Sequence, residues 1–137
     1  MAYSPSQVNL SYPKPRGCVH KIIPIARTDS STLKCVLPKD AVILGVHCYQ
    51  NVNASTAAAT WTVGWAGATS AILNAFSAAT TAVGLVNPGT ATGSGMLTKL
   101  DSDKAVIATF GGSSTAGGTG WVVIEYFIAG AGEAADD

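Results

Sequence analysis

A chain of 137 residues is the size of one domain, and with 47% apolar residues it can bury a core without disulfide or metal staples. Charged residues make up only 12%, about half the usual share, and eight basic residues balance eight acidic ones. This composition excludes a disordered chain and a general nucleic-acid binder, and no apolar run reaches the ~18–20 residues of a membrane span.

The charges are unevenly placed. Residues 41–98 contain no Lys, Arg, Asp or Glu, only short apolar runs set in Thr, Ser, Asn and Gly. Outer faces that are small and neutral suit contact with other copies or another protein better than capture of a charged ligand. Before that stretch, Lys14, Arg16, Lys21, Arg27, Lys34 and Lys39 face a lone Asp29 up to position 39, whereas Glu125, Glu133, Asp136 and Asp137 close the chain. Cys18, Cys35 and Cys48 are odd in number and form no CxxC pair, so they read as small buried hydrophobes in a reducing compartment. The first residues lack the apolar core of a signal peptide, so cytoplasmic synthesis is expected.

In chain order, residues 1–17 interleave Pro5, Pro13 and Pro15 with Tyr3 and Tyr12, which predicts an extended arm rather than a helix. From Cys18 the period is two, with Pro24 marking an edge or bulged strand. Thr28–Ser31 is a turn, and Leu33, Cys35 and Leu37 resume the alternation. After Pro38-Lys39-Asp40 comes the longest strand, about 41–52, expected to present Val42, Leu44, Val46 and Cys48 on one face and Ile43, His47 and Tyr49 on the other. Trp61, Val63 and Trp65 alternate with Thr60, Thr62 and Gly64 as in a strand with one buried face. Residues 71–76 fit a strand or one helical turn equally. A loop over 77–95 carries a short strand near 82–86, and further strands are expected over 96–100, 103–110 and 120–128. The Gly-rich run 111–118 reads as a hairpin loop joining the last two. The last strand is apolar on both faces apart from Glu125, which fits a central strand or one covered by a neighbouring subunit. Roughly eight strands without a helical stripe predict a β-sandwich or barrel over 18–129, with an acidic disordered tail over 130–137. Val42, Leu44, Val46, Trp61, Val63, Ile124 and Tyr126 are the expected core.

The residues offer little to catalysis. His20 and His47 lie inside predicted strands, and no nucleophile elbow, P-loop, HExxH or dinucleotide fingerprint occurs. The cysteines and histidines lack zinc-site spacing, and Asp101-x-Asp103 is too short for a calcium loop, so turn chemistry is the better reading. No catalytic residue, cofactor or metal is expected. Trp61 and Trp65 have core spacing, while Trp121 sits where it could cover an interface or meet a sugar.

Three segments carry a resemblance. LPKDAVILGV at 37–46, ATWTVGWAGATSAILNAF at 59–76 and KAVIATFGGSSTAGGTGWVVIEYF at 104–127 resemble, in order and spacing, the strands of small head decoration (cement) proteins of tailed phages. The resemblance implies a jelly-roll-like β-sandwich of antiparallel strands that assembles, often as a homotrimer, on the outside of the capsid. Its partners would be the major capsid protein and itself, with no nucleic acid or membrane involved. Bulky Trp61 and Trp65 and the basic, proline-rich arm depart from the pattern. The arm is then the expected capsid contact through Tyr3, Tyr12, Lys14 and Arg16, with Arg27, Lys34 and Lys39 beside it if the first strands share one end. The competing reading is a carbohydrate- or receptor-binding module of a phage fibre or tail.

Overall fold

The computed structural model describes residues 18–129 apart from 57, 79–82, 87, 89, 90, 113 and 115. The expected arm, the acidic tail and with them Tyr3, Tyr12, Lys14 and Arg16 lie outside the described residues. Eight strands follow one another: β1 (Val19–Ile25), β2 (Thr32–Leu37), β3 (Ala41–Val52), β4 (Thr60–Trp65), β5 (Ala68–Ser77), β6 (Gly84–Val86), β7 (Lys104–Gly111) and β8 (Thr119–Ile128). They form two four-stranded sheets, ordered β1-β8-β3-β6 and β2-β7-β4-β5. All strand pairs are antiparallel. This order, in which the chain crosses between sheets after nearly every strand, is the jelly roll, and it bears out the expected fold.

The inner faces meet in one core. Ile23, Ile25, Ile43, Val46, Cys48, Val122, Ile124 and Tyr126 come from the first sheet, and Leu37, Trp61, Val63, Leu73, Phe76 and Val106 from the second. Trp61 is fully buried, stacks at a tilt 5.2 Å from Phe76 and donates its indole N–H to the Gly118 carbonyl at 2.7 Å, so its polar atom is satisfied inside. Gly120 makes room for it, since a Cβ there would lie 2.8 Å from the Trp61 ring and against the Tyr49 carbonyl. Trp65 is half-buried, with Lys104 Nζ 5.9 Å from its ring centroid.

Four expectations change. Along β3, Ile43 pairs with Tyr126 and Gly45 with Glu125, so Leu44 is an extra residue in a bulge. Ala41 and Ile43 point inward before it and Val46 and Cys48 after it, which leaves Leu44 39% exposed and Val42 only half-buried instead of core. A bulge between Leu33 and Cys35 likewise turns Leu33 out, 61% exposed. Residues 96–100 are not a strand: Met96 and Leu97 lie in a turn, Lys99 makes a single bridge to β3, and Leu97 has a left-handed φ of 62°. The 111–118 loop is no hairpin: β7 and β8 lie in different sheets, and the loop crosses between them. Residues 71–76 resolve as strand, part of β5. Their period was obscured because Ala75, at φ 55°, is an extra residue between the Leu73–Val63 and Phe76–Trp61 pairs.

Candidate interaction face

The two sheets present unlike outer surfaces. On the β2-β7-β4-β5 sheet, Thr60 and Thr62 of β4 and Ala105 and Thr109 of β7 face out around Ile107, with Leu33 and Val36 of β2 exposed beside them. On the β1-β8-β3-β6 sheet the outward residues are bulky. Pro24, Trp121, Tyr49 and Leu85 stand in register, one from each strand, in a row across the whole sheet. The Tyr49 and Trp121 rings touch at 5.7 Å between centroids, tilted by 56°. Beside this row lies another of Ile22, Val123 and His47, with Ile22 65% exposed.

A third row is polar. His20, Glu125 and Gly45 are cross-strand neighbours, and His20 Nε2 lies 3.7 Å from Glu125 Oε2. Gly45 leaves the space the carboxylate uses: a Cβ there would meet Glu125 Oε1 at 3.3 Å and His47 Nε2 at 3.6 Å. Glu125 therefore lies between two imidazoles. Cys18 stands next to this group, and its thiol is pushed up by desolvation and then by the Glu125 charge and hydrogen bond. A raised thiol is a poorer nucleophile at neutral pH, the reverse of what a Cys–His catalytic pair requires. Among the described residues, no cluster of three or more His, Cys, Asp or Glu side chains is disposed to hold a metal ion. At the free margin of β3, Gly45, Val46, His47, Leu85, Val86, Pro88 and Thr92 line a groove of about 450 Å³ that is continuous with this face.

The basic residues singled out in the sequence do not gather. Arg27 is exposed in the turn after β1, whereas Lys39 is exposed in the turn before β3, at the opposite end of β2. Lys34 is turned inward: its Nζ is 2.9 Å from the Asp29 carboxylate, and the two side chains are only 11% and 5% exposed. Asp29 also accepts from the Ala26 N–H at 2.9 Å, closing the β1–β2 turn. Asp103 accepts from the Lys39 N–H at 2.8 Å and Asp101 pairs with Lys104 at 3.3 Å, so both act as turn residues. Lys104 holds the exposed Asp101 carboxyl below its ordinary range. Cys18 and Ala129, where the described chain begins and ends, lie at the Lys39 end, since Val19 pairs with Tyr126 and Ala129 N–H donates to the Asp40 carbonyl.

The sequence had flagged β8 as apolar on both faces, and β8 is indeed central. What periodicity could not supply was the identity of its neighbours, and so the aligned row of Pro24, Trp121, Tyr49 and Leu85.

No protein-family model matches the chain. No curated protein matches it either. Among solved structures, a chain described as "Cyanophage Pam1 capsid asymmetric unit" superposes with a TM-score of 0.59 at 23% identity, over 89% of this chain and 94% of its own length. The two share a fold. The likeness extends over nearly the whole of both chains, so the single jelly roll is the unit compared, with little left over on either side.

Proposed function

We propose that this chain is a structural protein of a phage capsid: a decoration protein on the outside of the assembled head that binds major capsid subunits and stabilises the contacts between them. The observation that carries the reading is the near full-length likeness to a chain of the Pam1 capsid. The protein's location would be the virion surface, after synthesis in the host cytoplasm. Copies would act as a homo-oligomer, a trimer in the first instance.

Stabilisation would follow from mass action. A protein that binds the assembled shell and not free subunits favours the shell by about 2.7 kcal/mol per site at a free concentration a hundred times its Kd. The test is co-sedimentation with heads stripped of this chain. Saturable pelleting, together with a rise in the temperature at which the heads come apart, is expected. Protein that stays in the supernatant while its jelly roll is folded overturns the reading.

A second reading has one observation in its favour. The Tyr49–Trp121 pair is exposed by 44% and 38%, and paired aromatics on a sheet face are a means of stacking on sugar rings. A glycan array that retains the wild-type protein, but not Trp121→Ala, would support a receptor-binding module instead.

A further inference from the structure

We propose that the free edge of β1 is a docking site for the chain's own residues 6–12, which lie outside the described residues and add there as an antiparallel strand, turning back through residues 13–17. The inference goes beyond the capsid reading and does not depend on it.

Its first ground is the edge itself. Among the described residues, β1 pairs with β8 and with no other strand. The ladder fixes which backbone groups are left over. The Ala41 and Ile43 carbonyls accept from Leu100 and Leu97 on the far side of β3, so Val42 between them turns its own N–H and C=O to Phe127 of β8. Every second residue of β8 from Phe127 back therefore faces β3. The alternate ones, Tyr126, Ile124 and Val122, face Val19, Lys21 and Ile23 of β1. That leaves the N–H and C=O of His20 and Ile22 pointing off the sheet, with the Pro24 carbonyl. The missing N–H of Pro24 falls on the open side, where an edge strand tolerates it. The exposed side chains at 20, 22 and 24 include no lysine to keep another strand away.

The second ground is the segment that adjoins this edge. Val8, Leu10 and Tyr12 alternate with Gln7, Asn9 and Ser11, the period of a strand with one apolar face, and Pro5 and Pro13 bound the run. Residues 1–13 carry no charged side chain. Pro13-Lys14-Pro15-Arg16-Gly17 then joins the run to β1, and five residues ending in glycine is a length that hairpins use.

The third ground is that turn and edge agree in register. A turn over 13–17 sets Tyr12 opposite Cys18, Leu10 opposite His20 and Val8 opposite Ile22. The groups that β1 leaves over then meet those of Leu10 and Val8 in hydrogen-bonded pairs. The same register turns Val8 and Leu10 to the outer face. There Val8 continues the row of Ile22, Val123 and His47 and covers an Ile22 that is 65% exposed. Ser6 falls opposite Pro24, so the ladder stops where both strands reach a proline. The edge of β2 is also open among the described residues, but it belongs to the other sheet, and a segment leading into Cys18 would run parallel to it with no direct turn. Docking on β1 holds Lys14 and Arg16 in a turn at the end of the sandwich that carries Lys39. An edge strand of this kind opens locally, so the sandwich melts alike with it or without it.

The test is amide hydrogen exchange, read residue by residue by NMR on the full chain. The His20 and Ile22 amides should exchange at least about tenfold more slowly in the wild type than in Leu10→Pro, which removes an N–H aimed at β1. Asn9→Pro, whose N–H points away from β1, should keep that protection. Both substitutions lie outside the sandwich and should leave its circular dichroism unchanged. Wild-type amides at 20 and 22 that exchange as fast as in Leu10→Pro overturn the proposal. So does equal loss in the two proline variants, which contradicts the ladder. Protection that depends on Leu10 but appears along β2 moves the segment to the other edge and overturns docking on β1. Protection that fades on dilution assigns the strand to a neighbouring copy and overturns docking within the chain. The measurement needs no heads, so its failure leaves the capsid reading standing, and protein that fails to pellet with heads leaves this proposal standing.

Discussion

Lys34 shows how one residue can mislead when it is read as a surface charge. Its ammonium and the Asp29 carboxylate are removed from water together, and the carboxylate also holds the Ala26 N–H. Lys34→Met should therefore cost about 3–5 kcal/mol in denaturant unfolding, because it strands a buried carboxylate. Asp29→Asn combined with Lys34→Met should recover most of that loss, since the amide oxygen can still accept from Ala26. Cys48 is the second residue whose burial has a measurable sign. Desolvation pushes its thiol up to about 12 from an ordinary value of 9.0. The folded state keeps the proton where the unfolded chain loses it, so the contribution of Cys48 to stability is complete below pH 9 and falls as the pH rises toward 12. Burial also raises the Tyr126 phenol, which acts in the same direction. The stability difference between wild type and Cys48→Val should accordingly shift in favour of the variant between pH 9 and 11, measured by urea unfolding at each pH.

At the scale of elements, period-two reading succeeded wherever a strand was regular and failed where a residue was inserted. Pro24 announced an edge strand and β1 is one. Trp61 and Val63 were legible as core from their spacing, and Tyr126 and Ile124 from the pattern of the last strand. β3 was misread in its first half because one bulge at Leu44 exchanges the faces of everything before it relative to everything after. No local signal separates such a strand from a regular one when both faces are apolar. The Met96–Leu100 segment failed for a related reason: it looks like a strand by composition, but Met96 and Leu97 lie in a turn, and Leu97 N–H to Ile43 and Leu100 N–H to Ala41 pin it to the edge of β3 with a single bridge, Lys99 to Val42. Mutational cost should follow the bulged register. Val46→Ala is expected to cost about 1–3 kcal/mol through lost burial and a cavity, whereas Leu44→Ala should stay within about 0.5 kcal/mol, as at other exposed sites. Equal losses at the two positions would contradict the bulge. The aligned apolar row of the interaction face was not legible at all, because it joins residues 24, 49, 85 and 121 through pairings that only the tertiary fold creates.

For the molecule as a whole, the jelly roll brings Cys18 and Ala129 to one end of the sandwich, so whatever precedes and follows them departs from that end. The exposed Lys39 is there too, while Arg27 is at the other. The contact expected of the arm would therefore rest on Tyr3, Tyr12, Lys14 and Arg16, with Lys39 the described basic residue best placed to assist. Deletion of residues 1–17 should leave the circular dichroism and melting profile of the sandwich intact while reducing co-sedimentation with heads. Charge reversal at Lys14 and Arg16 should weaken binding in a salt-dependent way, since exposed charges are screened over about 8–10 Å at ordinary ionic strength. A truncated protein that decorates as well as the intact one would transfer the contact to the folded domain.

The position of β8 has a consequence for how the protein is made. It lies between β1 and β3, hydrogen-bonded to both, and it is the last of the eight strands to leave the ribosome. Until it emerges, β1 has no neighbour among the other seven strands and β3 keeps one side open, so the nascent chain holds apolar strands that it cannot yet close. Folding of this domain is thereby deferred until β8 has been made, and a stalled chain ending before residue 119 would remain a substrate for chaperones and proteases, however long it waited.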